Sequence, residues 1–224
     1  MAQIGPSGGA KGYEGLTGFH SWGVAWFING TLVPELVLKR GVTYTFYVQG
    51  GKNSQNLEYY HPLYITSEPD GGFAQKKEAD RQRARVYAGV RRGRNNEYEA
   101  TAAGPLCVWK ELTNNVKPED YNNFFAYKSQ LDYACEPGQP GVLTFTPDSS
   151  MPDTMYYQSY TQRNLGWKIT LVDNFDDASL HQVYQAVTSA SIDTSDLSNC
   201  SSKKISHILA LHLILCYLIV TLSP

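Results

Sequence analysis

Pro152-Asp153-Thr154-Met155-Tyr156-Tyr157-Gln158-Ser159-Tyr160-Thr161-Gln162-Arg163-Asn164-Leu165-Gly166-Trp167-Lys168-Ile169 reads as a strand, a polar turn and the start of a second strand. Residues 154–158 and 167–172 hold the aromatic and β-branched side chains that suit a pleated, half-buried surface, and Arg163, Asn164 and Gly166 supply the turn between them. Working toward the N-terminus, His61-Pro62-Leu63-Tyr64-Ile65-Thr66 is another short apolar run. In Val42-Thr43-Tyr44-Thr45-Phe46-Tyr47-Val48 the residues Val42, Tyr44, Phe46 and Val48 share one face, and Gly41 and Gly50-Gly51 bound the segment. Similar runs lie at 22–28, 32–38, 85–90 and 142–146. Many short strands separated by turn residues predict an all-β sandwich or barrel. No long amphipathic helix interrupts the series, although 74–84 is compatible with a short one. Residues 91–139 are poor in strand pattern and predict a long excursion.

The two opening segments resemble the ligand-bearing strands of plastocyanin-like, cupredoxin domains. Such a site joins two imidazoles and a thiolate, usually with a weak axial thioether, because sulfur and nitrogen together hold both copper oxidation states. The early strand keeps His61, whereas Ser159 stands where the thiolate belongs, Gln162 where the second imidazole belongs and Leu165 near the axial position. The resemblance therefore implies a cupredoxin-like Greek-key frame around former copper-site positions. A hydroxyl and an amide do not replace a thiolate and an imidazole, so the ligand inventory predicts no cofactor and argues against functional copper.

Further motifs extend the resemblance: Phe19-His20-Ser21-Trp22-Gly23-Val24-Ala25-Trp26-Phe27-Ile28-Asn29-Gly30, Tyr59-Tyr60-His61-Pro62, Val86-Tyr87-Ala88-Gly89-Val90, Leu106-Cys107-Val108-Trp109, Cys135-Glu136-Pro137-Gly138 and Leu165-Gly166-Trp167. Together they are similar to the C-terminal plastocyanin-like domain of the Skeletor and Knickkopf family, which carries DM13 and DOMON modules upstream. The match covers residues 18–173, leaving 1–17 as an expected flexible N-terminus, 174–204 as a polar stalk and 205–222 as a hydrophobic signal or anchor. Knickkopf-like membership implies a lipid-anchored apical surface protein that organises cuticle chitin; Skeletor itself implies a nuclear or spindle-matrix role.

The 224 residues have room for one domain with a sizeable core, and the net charge of -2 gives no global pull toward nucleic acid. Of the four cysteines, Cys107 and Cys135 fall inside the domain. A lone pair in a loop-rich β domain is expected to form a disulfide, here one that holds the excursion; free thiols are the other reading. Residues 205–222 are apolar and follow the small residues Ser198-Asn199-Cys200-Ser201-Ser202. This is the pattern of a glycosylphosphatidylinositol signal, with Asn199 as the attachment candidate and a single C-terminal transmembrane anchor as the rival. The first residues lack the charged and apolar regions of a secretory signal, which places the true N-terminus upstream or the anchor's insertion after translation. Asn29-Gly30-Thr31 and Asn199-Cys200-Ser201 are candidate glycosylation sequons, although Asn-Gly also suits a tight hairpin.

Lys76, Lys77, Arg81, Arg83, Arg85, Arg91, Arg92 and Arg94 form the basic concentration; a solvated turn or a docking strip for an acidic partner accounts for it equally in spacing. Tyr59, Tyr60, Tyr156, Tyr157 and Tyr160 would gather at the former copper end of such a frame, where flat rings suit sugar rings, against ordinary β packing as the plainer reading. No nucleophile elbow, phosphate loop, dinucleotide fingerprint or zinc-protease motif is present. The expected function is a non-catalytic binding or structural domain, with the membrane and chitin or cuticle matrix proteins as partners; a copper redox domain is the remaining alternative.

Overall fold

The computed structural model describes residues 1–113 and 116–175. Its strands are β1 (Ala2–Pro6), β2 (Val24–Ile28), β3 (Thr31–Leu32), β4 (Leu36–Lys39), β5 (Tyr44–Gln49), β6 (Leu63–Thr66), β7 (Val86–Ala88), β8 (Val90–Arg92), β9 (Tyr98–Ala100), β10 (Cys107–Glu111), β11 (Leu131–Cys135), β12 (Gly141–Phe145), β13 (Thr154–Ser159) and β14 (Trp167–Val172). Short helices α1 (Tyr13–Thr17), α2 (Glu78–Arg83) and α3 (Phe124–Lys128) lie between them. The predicted all-β class is what forms.

Two sheets face each other. One runs β11-β10-β1-β2-β3, with β5 beside β1 and β12 outside β5; the other runs β4-β14-β13-β6-β7. Ile4, Trp26, Phe46 and Val48 from the first pack with Leu63, Ile65, Met155, Tyr157, Ile169 and Leu171 from the second in one buried cluster. Each large side chain so removed from water contributes about 1.5–3 kcal/mol. Along β5 the alternation works as the sequence predicts: Tyr44, Phe46 and Val48 turn inward, Thr45 and Tyr47 outward. Val42 lies outside the strand and is exposed.

Residues 32–38 divide at Pro34 into β3 and β4, which join different sheets. Proline supplies no N–H for a ladder, and Val33 takes φ 31, so the chain crosses over there. Gly89, at φ 89, likewise separates β7 from β8. Residues 74–84 do contain a short helix, α2.

Two expectations are corrected. Residues 1–17 are not a flexible arm: β1 is an inner strand, antiparallel to β2 over five residue pairs and parallel to both β5 and β10. Its sequence, Ala-Gln-Ile-Gly-Pro, alternates too weakly to announce itself, because a strand flanked on both edges is held by its neighbours. Nor is 91–139 without strands. It supplies most of the β8–β9 hairpin and the antiparallel β10–β11 pair, then sends α3 across the outer face of the first sheet, where Phe27 meets Trp109 at 5.6 Å and Phe124 at 6.2 Å. In the β10–β11 register Cys107 stands opposite Cys135, and the two form the expected disulfide.

Candidate functional site

The β6–β13 register brings His61 and Ser159 together. Ser159 pairs with Leu63, and the antiparallel run continues beyond the strands with the Tyr160 N–H donating to the Pro62 carbonyl at 2.8 Å. His61 enters β6 from a loop that folds back on itself at Gly50-Gly51, and its N–H donates to the Gly50 carbonyl at 2.8 Å. Gly51 has φ 91, and a Cβ there would collide with the Tyr59 carbonyl, so only glycine permits this return.

Both side chains are fully buried. His61 Nε2 lies 2.8 Å from the Glu58 carbonyl, which can only accept, so Nε2 carries the proton and Nδ1 is a lone pair. That lone pair faces Ser159 Oγ at 3.4 Å, a long hydrogen bond. Ser159 Oγ is also 3.3 Å from Thr161 Oγ1 and accepts from the Gln162 N–H at 3.3 Å. Thr161 in turn donates to the Tyr60 carbonyl. Burial lowers the His61 pKa from its ordinary 6.5, partly opposed by the bond to Glu58.

Of the four positions that the cupredoxin resemblance singled out, His61 and Ser159 touch. The Gln162 amide turns instead to the Leu57 carbonyl, with 3.3 Å from Nε2 to O, and Leu165 is buried in the core with its carbonyl accepting from the Trp26 N–H at 2.9 Å. Among the described residues no group of three or more His, Cys, Asp or Glu side chains is placed to hold a metal ion. One neutral imidazole and a hydroxyl do not make a copper donor set. A serine beside an imidazole is also the raw material of a nucleophilic pair, and here both groups are fully buried.

The five tyrosines do not assemble into one platform. Tyr157 is fully buried and its hydroxyl donates to the Pro34 carbonyl at 2.7 Å, so it is a core residue and not a binding aromatic. Tyr160 is half-buried, stacks on Phe73 at 5.8 Å and donates to the Tyr98 carbonyl at 2.9 Å. Tyr156 stands between Thr66 and Lys168 in the sheet register, on the face of β13 opposite to that of Tyr157. Tyr60 is half-buried, and Tyr59 alone of the five is exposed. Tyr59 lines a shallow cleft of about 570 Å³ with Pro6, Val24, Trp109, Lys110 and Glu111. This cleft opens where β1 and β10 part after their single registered pair, Ile4 with Val108. Pro6 lacks the N–H that would continue a ladder there. Trp109 and Thr161 are the site residues that sequence reasoning missed, because Trp109 lies in a segment without strand pattern and Thr161 reads as part of a polar turn.

Asn29 occupies the turn between β2 and β3, at φ 49 with Gly30 at φ 75, the left-handed pair that a tight hairpin needs. Asn29 is exposed, so the sequon and the turn coincide. Asn199 and the whole apolar tract 205–222 lie outside the described residues. Among those residues no helix is long and apolar enough to cross a membrane.

Three residues of the basic concentration have acidic partners. Lys76, nearly buried, lies 2.9 Å from Glu68 and 3.2 Å from Asp70; Arg81 is 3.8 Å from Glu78 and Arg91 is 2.9 Å from Glu99. Arg92 rests over the Tyr98 ring at 4.8 Å.

Known proteins share part of this chain. Over 175 residues, 78% of the chain, the sequence is 45% identical to Protein Skeletor, isoforms B/C, of Drosophila melanogaster, and the match takes in 22% of that protein. The same identity and span hold for Protein Skeletor, isoforms D/E, of the same organism, of which 12% is covered. The chain thus spans a small part of the curated relatives it matches. Residues 125–173 match the At5g54830-like domain family. No solved structure matches.

Proposed function

We propose, from the premise that this chain shares a homologous segment with Skeletor, that it is a non-catalytic binding or structural domain of the cell surface, serving the organisation of an extracellular cuticle or chitin matrix. The observation that carries the surface reading is the disulfide between Cys107 and Cys135, since such bonds persist in the secretory pathway and are rare in reducing compartments. The apolar tract at 205–222, preceded by small residues around Asn199, supports a lipid anchor that would keep the domain at the membrane. The sheet order, with the His61-bearing segment beside the Ser159-bearing strand, supports a cupredoxin-like frame. Burial of both Ser159 and His61 supports the non-catalytic part of the reading.

The second reading is an intracellular, Skeletor-like structural role in the nucleus or spindle matrix. It is favoured by the relatives themselves, which are Skeletor isoforms. Expression of the full chain behind a supplied secretion signal in insect cells, followed by phosphatidylinositol-specific phospholipase on intact cells, tests the first. Release of the domain with its cysteines oxidised and its retention on chitin beads are the expected results. Recovery in the nuclear fraction of native cells with reduced Cys107 and Cys135 would instead establish the second.

A further inference from the structure

We infer that His61, Ser159 and Thr161 form a metal-independent clasp, built on the inner half of a copper site, that ties the 57–61 loop to the 159–165 turn. The inner half is visible at Nε2. A metal-binding histidine usually donates its other ring N–H to a carbonyl or carboxylate, which fixes the ring and aims the free nitrogen at the metal. His61 does this with the Glu58 carbonyl at 2.8 Å, and its Nδ1 is aimed accordingly. What Nδ1 meets is a hydroxyl, Ser159 Oγ, at 3.4 Å.

That hydroxyl is a junction rather than a ligand. It accepts from the Gln162 N–H, touches the Thr161 hydroxyl, and faces Nδ1, while Thr161 reaches back to the Tyr60 carbonyl and Gln162 Nε2 to the Leu57 carbonyl. The single Ser159 proton goes to Nδ1, so the Thr161 hydroxyl is a contact and not an acceptor, and two loops that a metal ion would otherwise cross-link are joined by three separate bonds: Ser159 to His61, Thr161 to Tyr60 and Gln162 to Leu57. His61, Ser159 and Thr161 are each buried, so breaking the links among them leaves polar atoms without water, whereas the Gln162–Leu57 bond lies at the exposed rim.

The correspondence with a copper site rests on the cupredoxin-like reading of the frame; the clasp rests on the hydrogen bonds alone, and the two can fail separately. The test uses the full domain, purified with chelator, and copper as the probe. The wild-type protein is expected to show an unchanged melting temperature with chelator or copper and no copper binding that H61Q abolishes. S159A is expected to melt at lower temperature and to lose hydrogen-exchange protection at the Gln162 amide by tenfold or more, about 1.4 kcal/mol. S159C/Q162H is expected to bind one copper with a thiolate charge-transfer band that H61Q removes. Stoichiometric, His61-dependent copper binding by the wild type would overturn the metal-independent clasp, as would S159A with unaltered melting and exchange. A folded S159C/Q162H protein that binds no copper would overturn the copper-site correspondence while leaving the clasp to stand on S159A.

Discussion

At the residue scale, the placement of protons around His61 governs how the site responds to acid. His61 is held neutral, with its folded pKa below the unfolded value of 6.5, so the unfolded chain binds more protons between those two values. Stability is therefore full above pH 6.5 and falls as the pH drops toward the folded pKa. Denaturant melts of the wild type and H61Q from pH 7.5 down to pH 5 are expected to converge, since H61Q lacks this titration; parallel curves would assign the acid sensitivity elsewhere. The identity of His61 and Ser159 as a pair could be proposed from sequence, because each sits at a motif position. The tautomer, the Thr161 link and the turning away of Gln162 could not, because hydrogen-bond direction depends on carbonyls brought in from another loop.

At the scale of elements, β1 is the clearest case of tertiary structure overruling local signal. Ile4 is 1% exposed in a strand flanked by β2 on one edge and by β5 and β10 on the other. I4A is expected to cost about 2–5 kcal/mol in chemical denaturation, as a buried aliphatic truncation does, where a flexible arm would show no loss. The β10–β11 pair carries the second prediction. The Cys107–Cys135 disulfide closes a loop with a sequence separation of 28 residues. Replacing both cysteines by alanine is expected to destabilise the domain by about 3–4 kcal/mol from loop-closure entropy. A loss confined to α3 and β11, seen as faster exchange there with the two-sheet core unaffected, would mark the excursion as a separate cooperative unit. Strands β5, β13 and β14 were legible from sequence because their signals are local, alternation in β5 and aromatic and β-branched content in β13 and β14; β10 and β11 were not, because β11 shows exposed residues at most positions and leans on one partner.

For the whole molecule, folding redistributes charge and aromatic surface. Lys76, Arg81 and Arg91 are paired with acidic neighbours and the chain as a whole carries -2, so part of the basic field is cancelled. The domain is expected to elute from heparin at or below physiological salt, and K77A/R83A to elute at the same salt; strong retention lost in that variant would restore the docking-strip reading. Sequence by itself determined the all-β class and the lack of a thiolate and a second imidazole among His61, Ser159, Gln162 and Leu165, and it favoured the Cys107–Cys135 disulfide over free thiols. Each of these rests on residue type or on a period-2 pattern, which is a property of neighbouring positions along the chain. Only the tertiary structure decided that residues 2–6 lie inside a sheet, that Tyr157 is core while Tyr59 faces a cleft with Trp109, and that Ser159 closes a clasp on His61. Those outcomes depend on which distant segments meet, and burial, pairing and proton placement are fixed at that meeting rather than along the sequence.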